Sequence, residues 1–251
     1  MNDVSSAPHR PAAGARLLAR LACSALLAFG AVQAQTAGPD LRERLAACAA
    51  CHGERGEGVA GSTYYPHLAG KPAGYLIEQL QAFRDGRRHY WQMVWLTQYM
   101  DDAYIAEIAA YYAAQPPHTQ AADVGAPALP AAVRERAEQL VHHGDAQAGL
   151  PACVACHGAT LTGLEPAVPA LVGLPQDYIV SQIGSWRDGT RRSKAPDCMA
   201  KIAAALSPAD IRIVAQYLSH QSPGAHDEPA AAGSLMPPLA CGDLPHAQVT
   251  P

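Results

Sequence analysis

Aromatic side chains are scarce in this 251-residue sequence, at 6% with only two phenylalanines, and charged residues reach only 16%. Apolar residues still make up 49%, much of it alanine, so few large side chains are available and something besides them must fill the core. No stretch alternates apolar and polar residues with the period of two of a half-buried strand, which argues against a sheet framework. Positive charge is nowhere clustered, which excludes nucleic acid as a partner. Long hydrophobic runs are missing too: the apolar stretch at residues 21–32 falls short of the ~20 residues that cross a bilayer.

That short stretch follows Arg10, Arg16 and Arg20 and ends at Val32-Gln33-Ala34, a small-residue cleavage pattern. Residues 1–34 are therefore read as a signal peptide cleaved after Ala34, and the protein as periplasmic. A retained anchor is the alternative. Lipid attachment at Cys23 is disfavoured by Arg20, which stands where an aliphatic residue is wanted. Cleavage removes three Arg and one Asp, so Lys plus Arg falls from 18 to 15 and Asp plus Glu from 22 to 21, a net charge of about −6. That mild acidity suits a partner with a basic docking patch.

At roughly 100–200 residues per domain, the length suits two domains, and the chain repeats itself once. Cys48-Ala-Ala-Cys51-His52-Gly53 recurs as Cys153-Val-Ala-Cys156-His157-Gly158, and Pro66-His-Leu-Ala-Gly70 as Pro169-Ala-Leu-Val-Gly173. Tyr75 and Tyr178, Gln79 and Gln182, then Phe83-Arg-Asp-Gly86 and Trp186-Arg-Asp-Gly189 follow without a gap. Met93 and Met199 each stand seven residues before matching segments that begin at Met100 and Leu206, and the offset stays at 103 to 106 throughout. Constant offset marks a tandem duplication. Domains are expected at 35–115 and 131–220. The proline-rich 116–130 reads as a linker, and 221–251, rich in Pro, Ala and Gly, as a flexible tail. Helices are expected over 41–48, 72–84, 133–143 and 175–187, and after the N-cap pair Ser207-Pro208.

Cys-x-x-Cys-His is the spacing by which two thiols lie along one edge of a porphyrin while the next His reaches its iron. A disulfide, a redox thiol pair or half a zinc site are the competing readings, and a duplicated motif followed each time by His and a distant Met favours haem over all three. Cys48, Cys51, Cys153 and Cys156 are then the covalent attachments of two haem c groups, with His52 and His157 as iron ligands. Met93, 41 residues after His52, and Met199, 42 after His157, are the opposite ligands. Met100 competes in the first repeat, but its counterpart is Leu206.

Pro66 and Pro169 are placed to accept the other ring proton of each His. Arg84, Arg87, Arg88, Arg187, Arg191 and Arg192 either neutralise haem propionates or cap helices in solvent. His67, His89, His142 and His143 lack counterparts and are expected at the surface. Cys198 and Cys241 remain as a disulfide or free thiols, with a Cys198 thiolate ligand a lesser alternative.

These duplicated segments resemble the dihaem cytochrome c4 family over about residues 40–220. The resemblance implies an all-α fold of two tandem class I cytochrome c domains, each wrapped around one covalently bound haem. It implies a periplasmic electron carrier, not an enzyme, with His52/Met93 and His157/Met199 as the axial pairs. Its partners would be redox proteins: a donor dehydrogenase or cytochrome complex and an acceptor oxidase, with peripheral membrane association compatible with either. A dihaem enzyme of peroxidase or thiosulfate-oxidising type, or a dedicated dehydrogenase subunit, are the alternatives. Residues 89–99 are bulkier than the family usually has there, read as either a differently filled core or a docking surface around Trp91 and Trp95 for a dedicated dehydrogenase, and the tail is unusually long.

Overall fold

A computed structural model describes residues 40–117, 128–222 and 228–244. The signal peptide assigned to 1–34 and most of the linker lie outside them. No described helix is long and apolar enough to cross a membrane. The chain divides into Met1–Arg44, whose described part holds the single turn α1 (Leu41–Arg44), and Leu45–Pro251, which contains both repeats.

The described residues form helices and isolated bridges but no strand. In the first repeat α2 (Ala46–His52) is alanine-rich, as a good helix former should be, and ends at Gly53, whose φ of +78° suits glycine. There follow α3 (Ala73–Arg84), α4 (Trp91–Thr97) and α5 (Asp102–Ala113), the last capped by Asp101, whose carboxylate accepts from Tyr104 N at 2.7 Å. α3 packs on α4 and α5, burying Leu76, Phe83, Ile105, Ile108 and Tyr112. The second repeat runs α6 (Ala131–Glu138, continued by a π-helical turn Gln139–His143), α7 (Val154–His157), α8 (Gln176–Arg187), α9 (Cys198–Ala205) and α10 (Pro208–Ser219). α10 starts as expected: Ser207 Oγ accepts from Asp210 N at 3.0 Å with Pro208 at the first position. It packs on α6 and α8, closing a core that includes Val141, Ile179, Ile183, Val214 and Leu218.

The repeats meet in a short antiparallel pairing. His89 N donates to Thr190 O at 2.8 Å and Arg192 N to Arg87 O at 2.7 Å, on either side of the Arg88–Arg191 bridge. Because 87–89 and 190–192 are equivalent in the duplication, the two bonds exchange under the repeat symmetry, as in an isologous dimer interface. The side chains obey the same symmetry. Arg88 donates to Gln79 Oε1 (2.9 Å) and Gln182 Oε1 (2.7 Å), and Arg191 to the same two oxygens, each at 2.8 Å. Arg88 lies over Phe83 and Arg191 over Trp186, each on the aromatic ring of its own repeat.

Two expectations are corrected. Residues 228–244 are not a loose tail: a Cys198–Cys241 disulfide ties them down, Glu165 N donates to Ala230 O (2.8 Å), Ala230 N to Gly163 O (2.9 Å) and Gly242 N to Pro196 O (2.9 Å). The covalent tie and these hydrogen bonds offset the entropy of ordering a segment whose composition offers little apolar surface. His67, expected at the surface, is buried, with its Nε2 3.1 Å from the buried Lys71 Nζ. Two polar groups of one turn bury each other, which no apolar pattern signals.

Candidate functional site

In the second repeat, Cys153, Cys156, His157 and Met199 line one predominantly apolar cavity, together with side chains such as Ile183 and Leu218. α7 is only one turn long, and it aims His157 inward because Gly158, at φ +85°, turns the chain sharply away. The Pro169 carbonyl sits 2.8 Å from His157 Nδ1 and can only accept, so Nδ1 carries the proton and Nε2 keeps its lone pair. Burial holds the imidazole below its ordinary pKa against the opposing pull of that bond, which leaves it neutral at pH 7. Neutral imidazole is the form that binds a metal.

The first repeat is built alike. Cys48, Cys51 and His52 share α2, and His52 Nδ1 lies 2.8 Å from the Pro66 carbonyl. Burial lowers the His52 pKa, the Pro66 bond opposes, and Arg88 lowers it further. Met93 stands in the first turn of α4 as Met199 does in α9. Tyr90, just before α4, has Cys51 among its electrostatic neighbours, so this helix lies near the attachment motif.

The cysteine chemistry discriminates between the competing readings. None of the four motif cysteines forms a disulfide. Burial pushes the Cys153 thiol up to about 11 and raises Cys48 as well, opposite to what a redox-active thiolate needs. Among the described residues no three His, Cys, Asp or Glu side chains gather as a zinc site would require. A neutral, backbone-oriented imidazole beside two thiols and a thioether, around an apolar cavity, fits an iron porphyrin.

The arginines divide by role. Arg84 Nη1 donates to Met100 O at 3.0 Å, and the equivalent Arg187 donates to Ala203 O at 3.2 Å and to Leu206 O. Both hold down the exit of the methionine-bearing helix, which makes them structural and places Met100 at a helix end. Arg87 contacts Glu78 and Asp85. Arg88 and Arg191 face the junction, and Arg192 reaches across it to donate to Gly86 O at 3.4 Å. Residues that sequence reasoning gave no role are Lys71, Tyr75 and Gln79, which cross from the first repeat to line the second repeat's cavity. For Tyr75 and Gln79 the signal was there, since both recur as Tyr178 and Gln182.

A cytochrome c family model matches residues 38–115. The chain is 36% identical over 176 residues to the thiosulfate dehydrogenase electron acceptor of Thiomonas intermedia, covering 70% of this chain and 79% of that protein. It is 34% identical over 204 residues to cytochrome c4 of Pseudomonas aeruginosa, covering 79% and 97%. Reduced cytochrome c4 from Pseudomonas stutzeri superposes with a TM-score of 0.61 at 29% identity, over 72% of this chain and 96% of that one. The thiosulfate dehydrogenase TsdBA of Marichromatium purpuratum superposes at 0.62 and 30% identity over 74% of this chain, which spans 40% of the longer TsdBA chain. With its duplicated attachment motif and helical repeats, the chain belongs to the dihaem cytochrome c4 family and carries two covalently bound haem c groups.

Proposed function

We propose that this protein is a periplasmic electron carrier, exported on residues 1–34, that takes electrons from a dehydrogenase and passes them to an oxidase or another cytochrome. Its domains span 35–115 and 131–220. Cys48, Cys51, Cys153 and Cys156 would hold the haems through thioethers, and His52/Met93 and His157/Met199 would supply the axial ligands. The bound group supplies a one-electron iron couple. The chain's own residues would attach and orient it, exclude water and offer a docking face, and with a His and a Met given to each iron no position would be left for substrate. The observation that carries this reading is the cavity shared by His157 and Met199, with the His157 Nδ1 committed to Pro169.

The donor proposed is a thiosulfate dehydrogenase, in keeping with what the relatives' names say of those proteins. It would dock on α4, where Trp91 and Trp95 are 73% and 66% exposed one turn apart, and on Tyr99 just past the helix end, 91% exposed. Residues 89–100 contain no Asp, Glu, Lys or Arg, so the face suits an uncharged apolar patch and should bind with little salt dependence.

The test is the visible and near-infrared spectrum of the exported protein with haem and iron counted. Two haems per chain, a methionine-to-iron charge-transfer band of two-haem intensity and indifference to cyanide and peroxide are expected. Two haems of which one lacks that band or binds cyanide readily would transfer the assignment to a dihaem enzyme. For the donor, Trp91→Ala/Trp95→Ala should lower kcat/KM of purified thiosulfate dehydrogenase for this acceptor at least tenfold with the spectrum unchanged. An unaltered rate would rule out that face.

A further inference from the structure

Three cations gather at the junction with no carboxylate of their own, the Glu78 carboxylate on the same cavity wall being engaged by Arg87 and Lys194 instead. Lys71 and Arg191 are 6% and 5% exposed, and Arg88 is half-buried beside them. Among the described residues no ion pair reaches any of the three. Their hydrogen-bond partners are not carboxylates: His67 for Lys71, and Gln79, Gln182, Tyr75 and Tyr178 for the arginines. Burial brings the Lys71 ammonium down to about 8, with Tyr75 opposing and Arg191 and Arg88 adding to the drop. Burial would raise the Tyr75 phenol, yet Arg191, Arg88 and Lys71 outweigh it and bring it down to about 8. A buried group of like charges needs an anion that no side chain supplies. Haem brings carboxylates of its own in its two propionates.

Arg88 and Arg191 exchange under the repeat symmetry and serve both halves alike. Lys71 does not, because its counterpart is Leu174. Yet Lys71 lines the cavity of the second repeat together with His157 and Met199. The one cation that breaks the symmetry therefore belongs to one repeat and faces the site of the other.

We propose that Lys71 of the first repeat raises the reduction potential of the haem held by the second. Oxidised haem iron carries one more positive charge than reduced, and a cation in a low-dielectric interior disfavours that added charge. The inference rests on the two-haem reading and on the assignment of the second site to His157 and Met199.

A spectroelectrochemical titration of the holoprotein tests it. In Lys71→Met the reduced-to-oxidised ratio of the second haem at fixed solution potential should fall about tenfold, or about 59 mV for a one-electron couple. Lys71→Arg should keep it within about threefold of the parent, since the charge is retained. Lys71→Gln, which keeps a polar group against His67, serves in its place if Lys71→Met loses haem. Met199→His marks which step belongs to the second haem. If Lys71→Met and Lys71→Gln leave that step unmoved, or Lys71→Arg lowers it as far as they do, the proposal is overturned. Should Met199→His move neither step, the ligand assignment is what fails, and the Lys71 proposal is overturned if Lys71→Met also moves neither.

Discussion

Helices α4 and α9 descend from one ancestral segment, and each carries a methionine in its first turn, but their surroundings have diverged. α4 is bare, showing Trp91 and Trp95 to solvent, with Tyr99 exposed just past its end. The positions matching Trp91 and Trp95 are Asp197 and Lys201, and α9 is strapped by a disulfide from its first residue, Cys198, to Cys241. The cavity beside α9 is further lined by Leu239 and Leu244 of the strap. Duplication supplied two equal sites, and later change left one helix open and covered the other. If partners dock on α4 as proposed, contact falls to the first repeat and protection to the second.

The largest effect expected from breaking that contrast comes from the strap. Cys198→Ser/Cys241→Ser opens a link across 43 residues and should cost the second repeat roughly 3–4 kcal/mol on chain-entropy grounds. Denaturant unfolding followed through the charge-transfer band should show half the band lost early and half unaffected. Simultaneous loss of both halves would show that the strap supports the whole molecule.

A smaller effect tests the seam between the halves. A Cβ at Gly74 would come within 2.6 Å of the Pro166 carbonyl oxygen across the junction, so backbone must shift. Gly74→Ala should cost about 1–3 kcal/mol, as overpacking does. A thermal melt unchanged from the parent would mean the seam yields freely.

The smallest effect distinguishes the halves by pH. Arg136 bonds Asp210 at 2.9 Å and Asp145 at 3.1 Å, joining α6 to α10, whereas the position matching Asp210 in the first repeat is Tyr104. The Arg136 hydrogen bond holds the Asp210 carboxyl below its usual range against partial burial, with Ser207 helping. A carboxyl depressed in the folded state adds stability above its ordinary pKa near ~4, and that stability is lost as pH falls through the lowered value. Acid should therefore loosen the second repeat first, by about 1 kcal/mol or less because Arg136 is partly exposed. Asp210→Asn should lower stability at neutral pH and flatten the decline below about pH 4. A parent and variant with superimposable acid curves would remove the network from the account.

Much of the fold and site was legible because it was written twice. The attachment motifs, the methionine spacing and the Pro66 and Pro169 carbonyls could be matched between copies, and the carbonyls indeed accept from His52 and His157. Ser207-Pro208 announced its helix through capping chemistry alone. What stayed hidden were features present once. Lys71 is a charged residue where the other copy has leucine, and a lone Lys reads as surface until its neighbours are known. The strap looked mobile because its order depends on a disulfide and backbone hydrogen bonds, neither of which composition records. Arg84 and Arg187 recur faithfully, yet recurrence could not say whether they serve haem or a helix end.

The pairing of 87–89 with 190–192 gains one more property from lying within a single chain. Two separate proteins meeting through so short a clamp would part on dilution, but here the partner is always at an effective concentration in the ~mM range. Opening of the seam is thus a local, reversible event independent of protein concentration. Each half can be adjusted by evolution without the pair ever having to find each other again.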